Sequence, residues 1–450
     1  MPVIKDVSTT PDGLKIAVIG TGIAGMSAAW LLNKKHHVTV YEQAGRIGGH
    51  SNTVDAPSAQ HSTAVDTGFI VYNAENYPNL VALFAHLEVP TKASDMSFAA
   101  SLDNGGFEYA GTDLNGLLGQ RRNMFRPRFW RMIRDIMRFF REAPGYLADD
   151  SMAQLSLGDL LDAQGYSDDF LRDHLLPMGA AIWSTTAAEM RAYPAAAFIR
   201  FFDNHGLLKV DDRPSWRTVD GGSRAYVQRL TASYKDKIRM VGAAAIKRSA
   251  NAVTVIGEDG GTEHYDHVVI ATHSDQAYAL LHDRDPLESS HLGGWRYTQN
   301  KAVLHRDPAL MPKRRRVWSS WNFIAGQDDS GSNGLCVSYW MNRLQGLSGD
   351  PLFVTLNPVT PPRDDLVIRS FDYSHPYFDL DALASQQRLW DLQGHRRTWY
   401  CGSYFGAGFH EDALQSGLAV AEQLGGVRRP WQVANESGRI TLSASPRAVA

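Results

Sequence analysis

The sequence predicts an α/β fold whose central parallel sheet is assembled from separate parts of the chain. A strand-like run at 14–19 passes through a glycine-rich turn into a helical stretch, and the same order of strand, turn and helix recurs at 398–424. This alternation is typical of parallel α/β sheets. Because the two patterns lie near opposite ends of the chain, the domain that contains both must be discontinuous.

The first turn follows the GxGxxG pattern and consists of Gly20, Thr21, Gly22, Ile23, Ala24 and Gly25. Gly20 permits the tight turn, Gly22 lets the backbone approach a pyrophosphate, and Gly25 allows helix and strand to pack closely. Ile23 and Ala24 begin the helix, whose free N–H groups attract phosphate. Glu42 ends the next strand, where a ribose-binding acid is expected. Together these features predict a Rossmann-type dinucleotide site.

Composition limits the alternatives. A chain of 450 residues with 44% hydrophobic residues predicts two packed domains. The formal net charge of -3 gives no chain-wide nucleic-acid-binding surface. No apolar run approaches the roughly 18 residues of a membrane span, and we expect a cytoplasmic protein. Cys336 and Cys401 lie far apart in strand-like runs, which favours reduced, buried thiols over a disulfide or a metal site.

The residues after Glu42 add candidate cofactor contacts, namely Gln43, Arg46, Gly48, Gly49 and His50. Arg46 can offer a forked cation to a pyrophosphate, and the glycines allow close backbone approach. Asp66 and Gly68 follow a further strand. On the residues alone, a solvated loop at 43–50 and an Asx turn at Asp66 remain alternatives. The stretch 42–50 resembles the ExxxRxGG extension of glutathione-reductase-like flavoproteins, including amine oxidases and phytoene desaturase. That resemblance implies FAD, with 66–68 beside the flavin.

The second glycine-rich turn resembles the carboxy-terminal flavin motif of the same families. The resemblance places Gly402 and Ser403 after the strand, and Glu411 and Asp412 at the helix start, where their N–H groups would face the reduced flavin. Asp412 departs from the family, which has glycine at this position. By the same resemblance, Ala243 contacts adenine and Ala271 lies near the pyrophosphate.

These assignments divide the chain into two domains. The FAD-binding domain, of the glutathione-reductase-like Rossmann type, comprises 1–75, 216–289 and 396–450. The substrate domain comprises 76–215, read mostly as helices, and 290–395, read as strands and loops. The predicted fold is therefore a discontinuous Rossmann domain with a mixed α+β substrate domain, of the amine-oxidase type.

An arginine-rich helical stretch stands out in the predicted substrate domain. One face carries Phe129, Ile133, Met137 and Phe140, and another carries Arg131, Arg134, Arg138 and Arg141. Arginines at 121, 122, 126 and 128 precede it, and a second basic run occupies 313–316. Such a pattern is typical of helices that bind anionic lipid, so we predict a possible peripheral contact with the membrane. An ordinary surface helix with solvated arginines is the alternative.

The whole chain resembles a bacterial group of flavin amine-oxidase-like proteins associated with cyclopropane-fatty-acid synthase. Stretches that carry the likeness include GGHSNTV, VDTGFIVYN and VVIATHSDQAYALL. The resemblance implies an oxidoreductase that desaturates an apolar, fatty acyl substrate by hydride transfer to flavin N5. Two alternatives stay open. An amine oxidase would need an aromatic cage, which Trp399, Tyr400, Tyr404 and Phe405 could supply, and a non-redox flavin-dependent mutase would carry similar motifs.

The candidate catalytic residues are Lys301 and His410. Lys301 matches the position of a lysine that holds water near N5 in amine-oxidase relatives, and a partly dry lysine there could act as a base. The alternative is a strand-edge lysine in solvent. His410 flanks the predicted flavin loop, although a lone histidine is more often a hydrogen-bonded structural residue.

Overall fold

The computed structural model describes residues 13–58, 62–183, 187–209, 213–327 and 333–442. The strands are β1 (Lys15–Ile19), β2 (His37–Tyr41), β3 (Thr53–Ala56), β4 (Thr63–Asp66), β5 (Val71–Asn73), β6 (Thr91–Ala93), β7 (Phe98–Leu102), β8 (Phe107–Ala110), β9 (Trp216–Val219), β10 (Ile238–Arg239), β11 (Ala243–Arg248), β12 (Val253–Gly257), β13 (Thr262–Tyr265), β14 (His267–Ile270), β15 (Arg296–His305), β16 (Trp321–Gln327), β17 (Asn333–Trp340), β18 (Phe353–Leu356), β19 (Val367–Tyr377) and β20 (Thr398–Tyr400).

The α-helices are α1 (Ile23–Leu32), α2 (Pro78–His86), α3 (Leu114–Leu117), α4 (Pro127–Tyr146), α5 (Asp150–Ala153), α6 (Leu157–Ala163), α7 (Asp168–Phe170), α8 (Leu176–Trp183), α9 (Ala187–Arg191), α10 (Ala195–Asn204), α11 (Arg224–Thr231), α12 (Ser274–Leu280), α13 (Pro286–Leu292), α14 (Met341–Leu344), α15 (Leu380–Gln386) and α16 (His410–Gly425). A π-helical turn, Leu171–Leu175, joins α7 to α8.

A parallel sheet organises the first domain. Among the described strands its order is β10-β2-β1-β14-β20, and each neighbouring pair runs parallel. Strand β1 is central and almost wholly apolar, as a strand covered on both faces must be. The strands come from three widely separated stretches of the chain. The predicted discontinuous α/β fold is confirmed.

A larger sheet organises the second domain. Its described strands follow the order β19-β15-β18-β17-β16-β7-β8, and the pairs are antiparallel except for β16 with β7. Helices α4, α6 and α10 contribute to the hydrophobic core beside this sheet through residues such as Phe139, Leu160 and Phe198. The sheet joins residues 98–110 to residues 296–377, so the two parts of the predicted substrate domain form one unit.

The core of the parallel-sheet domain extends past its predicted boundaries. Leu80, Leu83 and Phe84 of α2, and Leu389 and Trp390 near α15, pack in the same cluster as β1 and α1. Strand β6 pairs with β9, which itself pairs with β5. The predicted boundary at 75/76 therefore separates strands that share a sheet, because pairing partners are distant in sequence.

The buried face of α4 differs from the predicted one. Its buried apolar side chains are Phe129, Met132, Ile136, Phe139 and Ala143, whereas Met137 is 49% exposed. Ile133 and Phe140 are partly buried. The predicted apolar stripe of 129, 133, 137 and 140 is therefore rotated around the helix axis from the face that is buried. Spacings of three and four residues both place side chains on one face, so the sequence pattern fits either stripe.

Two further findings concern the cysteines and the membrane. Cys336 and Cys401 are both buried free thiols, as predicted. Burial raises the pKa of the Cys336 thiol to about 11, which keeps it protonated. Within the described ranges, no helix combines the length and the apolar character that a membrane crossing requires.

Candidate active site

A cavity of about 840 Å³ runs from the carboxyl end of the parallel sheet into the second domain. One end is formed by Gly20 and Gly22, by the end of β2, and by Ala271 after β14. Ligands of open α/β sheets bind at this edge, outside the carboxyl ends of the strands. The fold therefore brings Gly20, Gly22, Glu42 and Ala271 together in a single cleft.

The glycine-rich turn is shaped to leave space for a ligand. Gly20 has φ of +101°, and a Cβ there would lie 2.9 Å from the Ala271 carbonyl oxygen. A Cβ on Gly25 would lie 2.0 Å from the Gly20 carbonyl oxygen, so only glycine lets α1 start this close to the turn. A Cβ on Gly22 would meet nothing within 4 Å. Gly22 lines the cavity with Ile23 and Ala24, beside the N-terminus of α1.

Glu42 lies at the cavity edge, directly after β2. Its Oε2 accepts hydrogen bonds from the Thr21 hydroxyl and, at 2.9 Å, from the Thr21 N–H, and its Oε1 accepts from the Ala44 N–H at 2.7 Å. The carboxylate thus organises the glycine-rich turn as well as facing the ligand space. Gln43 also lines the cavity, and its side chain donates to Glu258 Oε1 at 2.7 Å.

Residues 46–50 approach the turn from the other side. Gly49 and His50 line the cavity, and a Cβ on Gly49 would lie 3.0 Å from the Gly22 Cα. Gly48 is buried behind them with φ of +116°. Arg46 does not line the cavity; its Nη1 lies 3.5 Å from the Ser51 carbonyl oxygen. The structure brings the glycines to the ligand space, while contact of Arg46 with a pyrophosphate stays a prediction.

Asp66 is corrected from a cofactor contact to a structural carboxylate. Its Oδ1 accepts from the Thr53 hydroxyl at 2.6 Å and the Ser223 hydroxyl at 2.7 Å, and its Oδ2 accepts from Gln345 Nε2 at 2.9 Å. Burial raises its pKa to about 6 against these hydrogen bonds. Gly68 does line the cavity, and a Cβ there would lie 2.2 Å from the His50 carbonyl oxygen. Only the backbone part of this motif faces the ligand space.

The carboxy-terminal turn closes the cleft through Gly402, Ser403 and His410. The Glu411 and Asp412 side chains point elsewhere. Glu411 accepts from the N–H groups of Asn79 and Leu80 at 3.0 Å and so caps the N-terminus of α2. Asp412 accepts from the Phe409 N–H at 2.7 Å and from Arg439. Their predicted role through N–H groups at the start of α16 remains a prediction.

The two alanines predicted at the cofactor lie where small residues are needed. Ala243, at the start of β11, and Ala271, after β14, both line the cavity. Contact of Ala243 with adenine and of Ala271 with the pyrophosphate stays a prediction.

Lys301 does not face the cavity. It is exposed on β15, and its N–H donates to Asn357 Oδ1 at 2.9 Å. The alternation of a strand puts Asn300 inside and Lys301 outside, so the prediction that Lys301 is a base at the flavin is corrected.

Sequence reasoning missed a group of neutral histidines in the cavity. The His50 ring centroid lies 5.2 Å from that of His375 and 6.5 Å from that of His273. Burial, followed by repulsion from His375 and His273, lowers the pKa of His50 well below its usual value. Burial likewise lowers the pKa of His375 to about 4. The histidines are far apart in sequence, so no local pattern could have indicated the group.

Hydrogen bonds fix the ring of His375. Asn300 Oδ1 accepts from Asn357 Nδ2 at 2.8 Å, so Asn300 Nδ2 is the group that faces His375 Nδ1 at 3.1 Å. The amide donates, His375 Nδ1 accepts, and the single proton of the neutral ring lies on Nε2.

His410 also lines the cavity. Its ring stacks on Phe69 with centroids 3.8 Å apart, and its Nε2 lies 2.8 Å from the Tyr226 hydroxyl. The same hydroxyl is hydrogen-bonded to the Ser51 hydroxyl. Burial lowers the pKa of His410 to about 3, so the ring is neutral and linked to a chain of hydroxyl groups.

The part of the cavity away from the glycine-rich turn is apolar. Its lining includes Met96, Phe98, Tyr109, Phe140, Met178, Ile182, Leu207, Trp216, Tyr339, Leu344, Leu356 and Phe409. Among the described residues that line the whole cavity, Glu42 is the one carboxylate and Arg213 the one permanent cation. Long aliphatic and aromatic side chains therefore form most of the surface that a substrate would contact.

Fold and cavity together define a dinucleotide-binding flavoprotein with an apolar substrate chamber. A family model, that of the flavin-containing amine oxidoreductases, matches residues 23–349. The chain belongs to this family and is a FAD-dependent oxidoreductase. A comparison with curated protein sequences gave no significant match.

Solved structures of enzymes share the fold at low sequence identity. Cyclohexylamine oxidase from Brevibacterium oxydans IH-35A is 14% identical, with a TM-score of 0.64 over 92% of this chain and 100% of that one. Putrescine oxidase bound to putrescine is 15% identical, with a TM-score of 0.63 over 92% and 99%. A fatty acid isomerase from P. acnes that produces CLA is 15% identical, with a TM-score of 0.63 over 90% and 97%. These similarities establish the fold alone.

Proposed function

We propose that the enzyme is a dehydrogenase or desaturase of an apolar, fatty acyl substrate. The observation that carries this proposal is the lining of the chamber, which is mostly aliphatic and aromatic, with neutral histidines and one cation, Arg213, among the described lining residues. An acyl chain gains free energy by leaving water for such a surface, at about 0.8 kcal/mol for each buried CH₂ group. Several methylene groups would supply most of the affinity.

The same lining disfavours a small cationic amine. Of the four aromatic residues considered for a cage, Trp399, Tyr400 and Phe405 are buried in the core of the parallel-sheet domain, where Tyr400 donates to Glu288 Oε1 at 3.0 Å. Tyr404 alone of the four lines the cavity. An ammonium group placed there would lose its hydration without a carboxylate nearby, since Glu42 lies at the nucleotide end.

The residues at the nucleotide end fit FAD. The open space at Gly22, the N-terminus of α1 and Glu42 would hold pyrophosphate and ribose, and Gly402, Ser403 and the start of α16 would hold the flavin end. When bound, FAD supplies a two-electron acceptor for a hydride.

The chain's own side chains prepare the substrate. The apolar walls exclude water and align the acyl chain. His375 presents a proton on Nε2 as a fixed donor. In the tautomer whose Nε2–H donates to the Tyr226 hydroxyl, the unprotonated Nδ1 of His410 can take a proton from substrate, and the hydrogen-bonded hydroxyls of Tyr226 and Ser51 stabilise the resulting imidazolium.

Anaerobic reduction of the flavin tests the proposal. Bleaching of the flavin absorbance should follow addition of fatty acyl substrates in detergent micelles and not of small amines. Met178→Arg, which places a cation in the chamber, should slow bleaching by acyl substrate at least tenfold without loss of bound FAD. Met240→Arg is the matched control, because Met240 is 49% exposed and lies outside the cavity. Bleaching by amines and not by acyl substrates would refute the proposal, and so would acyl isomerisation with the flavin unchanged.

A further inference from the structure

Two basic stretches that are far apart in sequence meet on one surface of the second domain. Arg122 Nη2 and Arg126 Nη1 both donate to the Gly106 carbonyl oxygen at 2.8 Å. From the other stretch, Arg314 Nη1 donates to the neighbouring Gly105 carbonyl oxygen at 3.0 Å. Arginines of both basic stretches are therefore hydrogen-bonded to the turn between β7 and β8.

Most of these cations have no acidic partner. Within the described ranges, none of the following side chains forms an ion pair with a carboxylate: Arg121, Arg122, Arg126, Lys313, Arg315 and Arg316. We call these six residues the cationic rim. Burial, followed by repulsion from Arg122 and Arg128, lowers the pKa of Arg126, which shows how closely the charges are grouped. Such a concentration of positive charge favours an anionic partner.

Large apolar side chains project from the same segment. Phe125 is 84% exposed, Leu114 75% and Trp130 51%. The Trp130 indole is held in place, since its Nε1 donates to the Met124 carbonyl oxygen at 2.8 Å. Apolar groups this exposed are costly in water and indicate contact with another apolar phase. Aromatic and aliphatic side chains among arginines are the composition of interfacial membrane contacts.

This surface and the chamber are formed in part by the same two segments of the chain. Tyr109 and Gly111 line the cavity, and Leu114 follows them in the same segment. Helix α4 provides Trp130 to the surface and Phe140 to the cavity wall. Along α4, Trp130 and Phe140 are separated by about 15 Å, at 1.5 Å for each residue.

The arginine stripe of α4 is less suited to the role predicted for it. Each of its arginines is paired with a carboxylate: Arg131 with Asp169 at 2.6 Å, Arg134 with Asp135 at 2.9 Å, and Arg138 and Arg141 with Glu142 at 2.8 and 3.0 Å. Their charge is largely compensated, so a lipid surface would gain little from them. The stripe provides a matched control for the cationic rim.

We propose that the cationic rim, with Leu114, Phe125 and Trp130, docks the enzyme on an anionic phospholipid bilayer. The rim attracts the lipid phosphates, and the three apolar side chains enter the interface between headgroups and acyl chains. We choose a bilayer over a protein partner because cations without a carboxylate partner lie beside exposed apolar side chains. The link to substrate delivery rests on the proposed function; the docking itself does not.

Co-sedimentation with vesicles tests the proposal. FAD-loaded protein is mixed with vesicles of phosphatidylcholine and phosphatidylglycerol, and separately with vesicles of phosphatidylcholine alone. Wild type should sediment with the first and stay in solution with the second, and added salt should weaken binding. A variant with R121Q, R315Q and R316Q should bind at least tenfold more weakly, as should Leu114→Ser with Phe125→Ser. The control variant with R131Q, R134Q and R141Q should bind as wild type does. Retained flavin absorbance shows that each variant is folded.

Three results would overturn the docking proposal. They are absence of wild-type binding, equal binding to both kinds of vesicle, and loss of binding in the stripe variant with retention in the rim variant. Self-association through Leu114 and Phe125, seen by light scattering without lipid, would point instead to a second copy. Flavin reduction by acyl substrate in micelles needs no bilayer. Failure there would therefore refute the proposed function and leave the docking result standing.

Discussion

At the scale of single residues, the proposed chemistry uses histidines that burial keeps neutral. His410 combines three properties: it lines the cavity, it stacks on Phe69, and its Nε2 is bonded to the Tyr226 hydroxyl. Because burial lowers its pKa to about 3, the ring is neutral at rest, and in the proposed reaction it would hold a proton only transiently.

Removal of the His410 ring should affect turnover more than cofactor binding. His410→Ala should slow anaerobic flavin reduction by about 10²- to 10⁴-fold, the usual contribution of general acid–base catalysis. Tyr226→Phe should cause a smaller loss and shift the pH dependence of the rate, because the hydroxyl partner is lost. Stopped-flow absorbance of the flavin measures both. An unchanged rate in His410→Ala would remove this residue from the reaction.

Glu42 should control affinity for FAD. Glu42→Ala removes a carboxylate that lines the cavity and accepts hydrogen bonds from the Thr21 and Ala44 N–H groups. With hydrogen bonds to charged groups contributing about 1.5 to 3 kcal/mol each, we expect the Kd for FAD to rise roughly 10- to 100-fold. Glu42→Gln, which keeps one acceptor oxygen, should show an intermediate Kd. Titration of apoprotein monitored by flavin fluorescence measures the change, and equal affinities would contradict the assignment.

Residue identity was easier to predict than side-chain direction. The glycines at 20 and 25 are required by the backbone, whereas Gly22 leaves open space for a ligand, and the motif alone located all three. Asp66 and Glu411 also occupy the right segments, but their carboxylates serve Ser223 and the N-terminus of α2. Those partners are distant in sequence, and no local pattern reveals them.

At the scale of elements, the cofactor loop is held by the packing of α1 on α16. A Cβ on Gly417 would lie 2.2 Å from the Ala24 carbonyl oxygen, so α16 can approach α1 only because this residue is glycine. Ala24 itself lines the cavity. The two flavin motifs, one at each end of the chain, are thereby coupled mechanically.

Gly417→Ala should separate the two helices. We expect a loss of about 1 to 3 kcal/mol in the free energy of unfolding, as for other overpacked sites, together with weaker FAD binding. Gly145→Ala is the matched control, since Gly145 is also helical and its Cβ would meet nothing within 4 Å. That variant should be unchanged or slightly stabilised, by up to about 1 kcal/mol. Equal effects in chemical denaturation would argue against close packing at Gly417.

The arginine-rich helix α4 shows that hydrophobic periodicity predicts an element but not its tertiary ion pairs. The sequence indicated an amphipathic helix through residues 129–141, and α4 is one. It could not indicate that Asp169, from another helix, pairs with Arg131, or that 313–316 would lie beside 121–126. Charge compensation is a tertiary property, so the location of uncompensated charge emerges from the fold.

At the scale of the whole molecule, buried histidines make stability depend on pH. Burial lowers the pKa of several to about 3 or 4, namely His174, His205, His267, His305, His375 and His410. In the unfolded chain they take up protons near their ordinary value of about 6.5. As pH falls below that value, the unfolded state binds more protons than the native state, and stability decreases.

Chemical denaturation at several pH values measures this linkage. The free energy of unfolding should fall steadily from about pH 6.5 towards pH 4, by up to about 1.4 kcal/mol per pH unit for each histidine. Asp66, whose pKa is raised to about 6, acts in the opposite direction and offsets part of the loss. A denaturation midpoint that rises or stays constant between pH 6 and pH 4.5 would show that the histidines are not buried neutral groups.

The sequence predicted the overall architecture better than its boundaries. The discontinuous parallel sheet followed from two local motifs, because each strand–turn–helix unit is specified by its own glycines. The assignment of 77–89 to the substrate domain conflicts with the packing of Leu80 and Phe84 beside β1. Core membership depends on which distant elements meet, and hydrophobic periodicity does not encode that.

The central claim is that the chamber holds an acyl chain from which hydrogen is removed. The most direct measurement uses a fully deuterated fatty acyl lipid, incubated anaerobically with stoichiometric FAD-loaded enzyme and analysed by mass spectrometry. We predict a product that has lost two deuterium atoms and gained a double bond, in an amount equal to the flavin reduced. One deuterium leaves as the hydride equivalent and the other as a deuteron. A lipid of unchanged mass, or a reduced flavin without a lipid product, would contradict the claim.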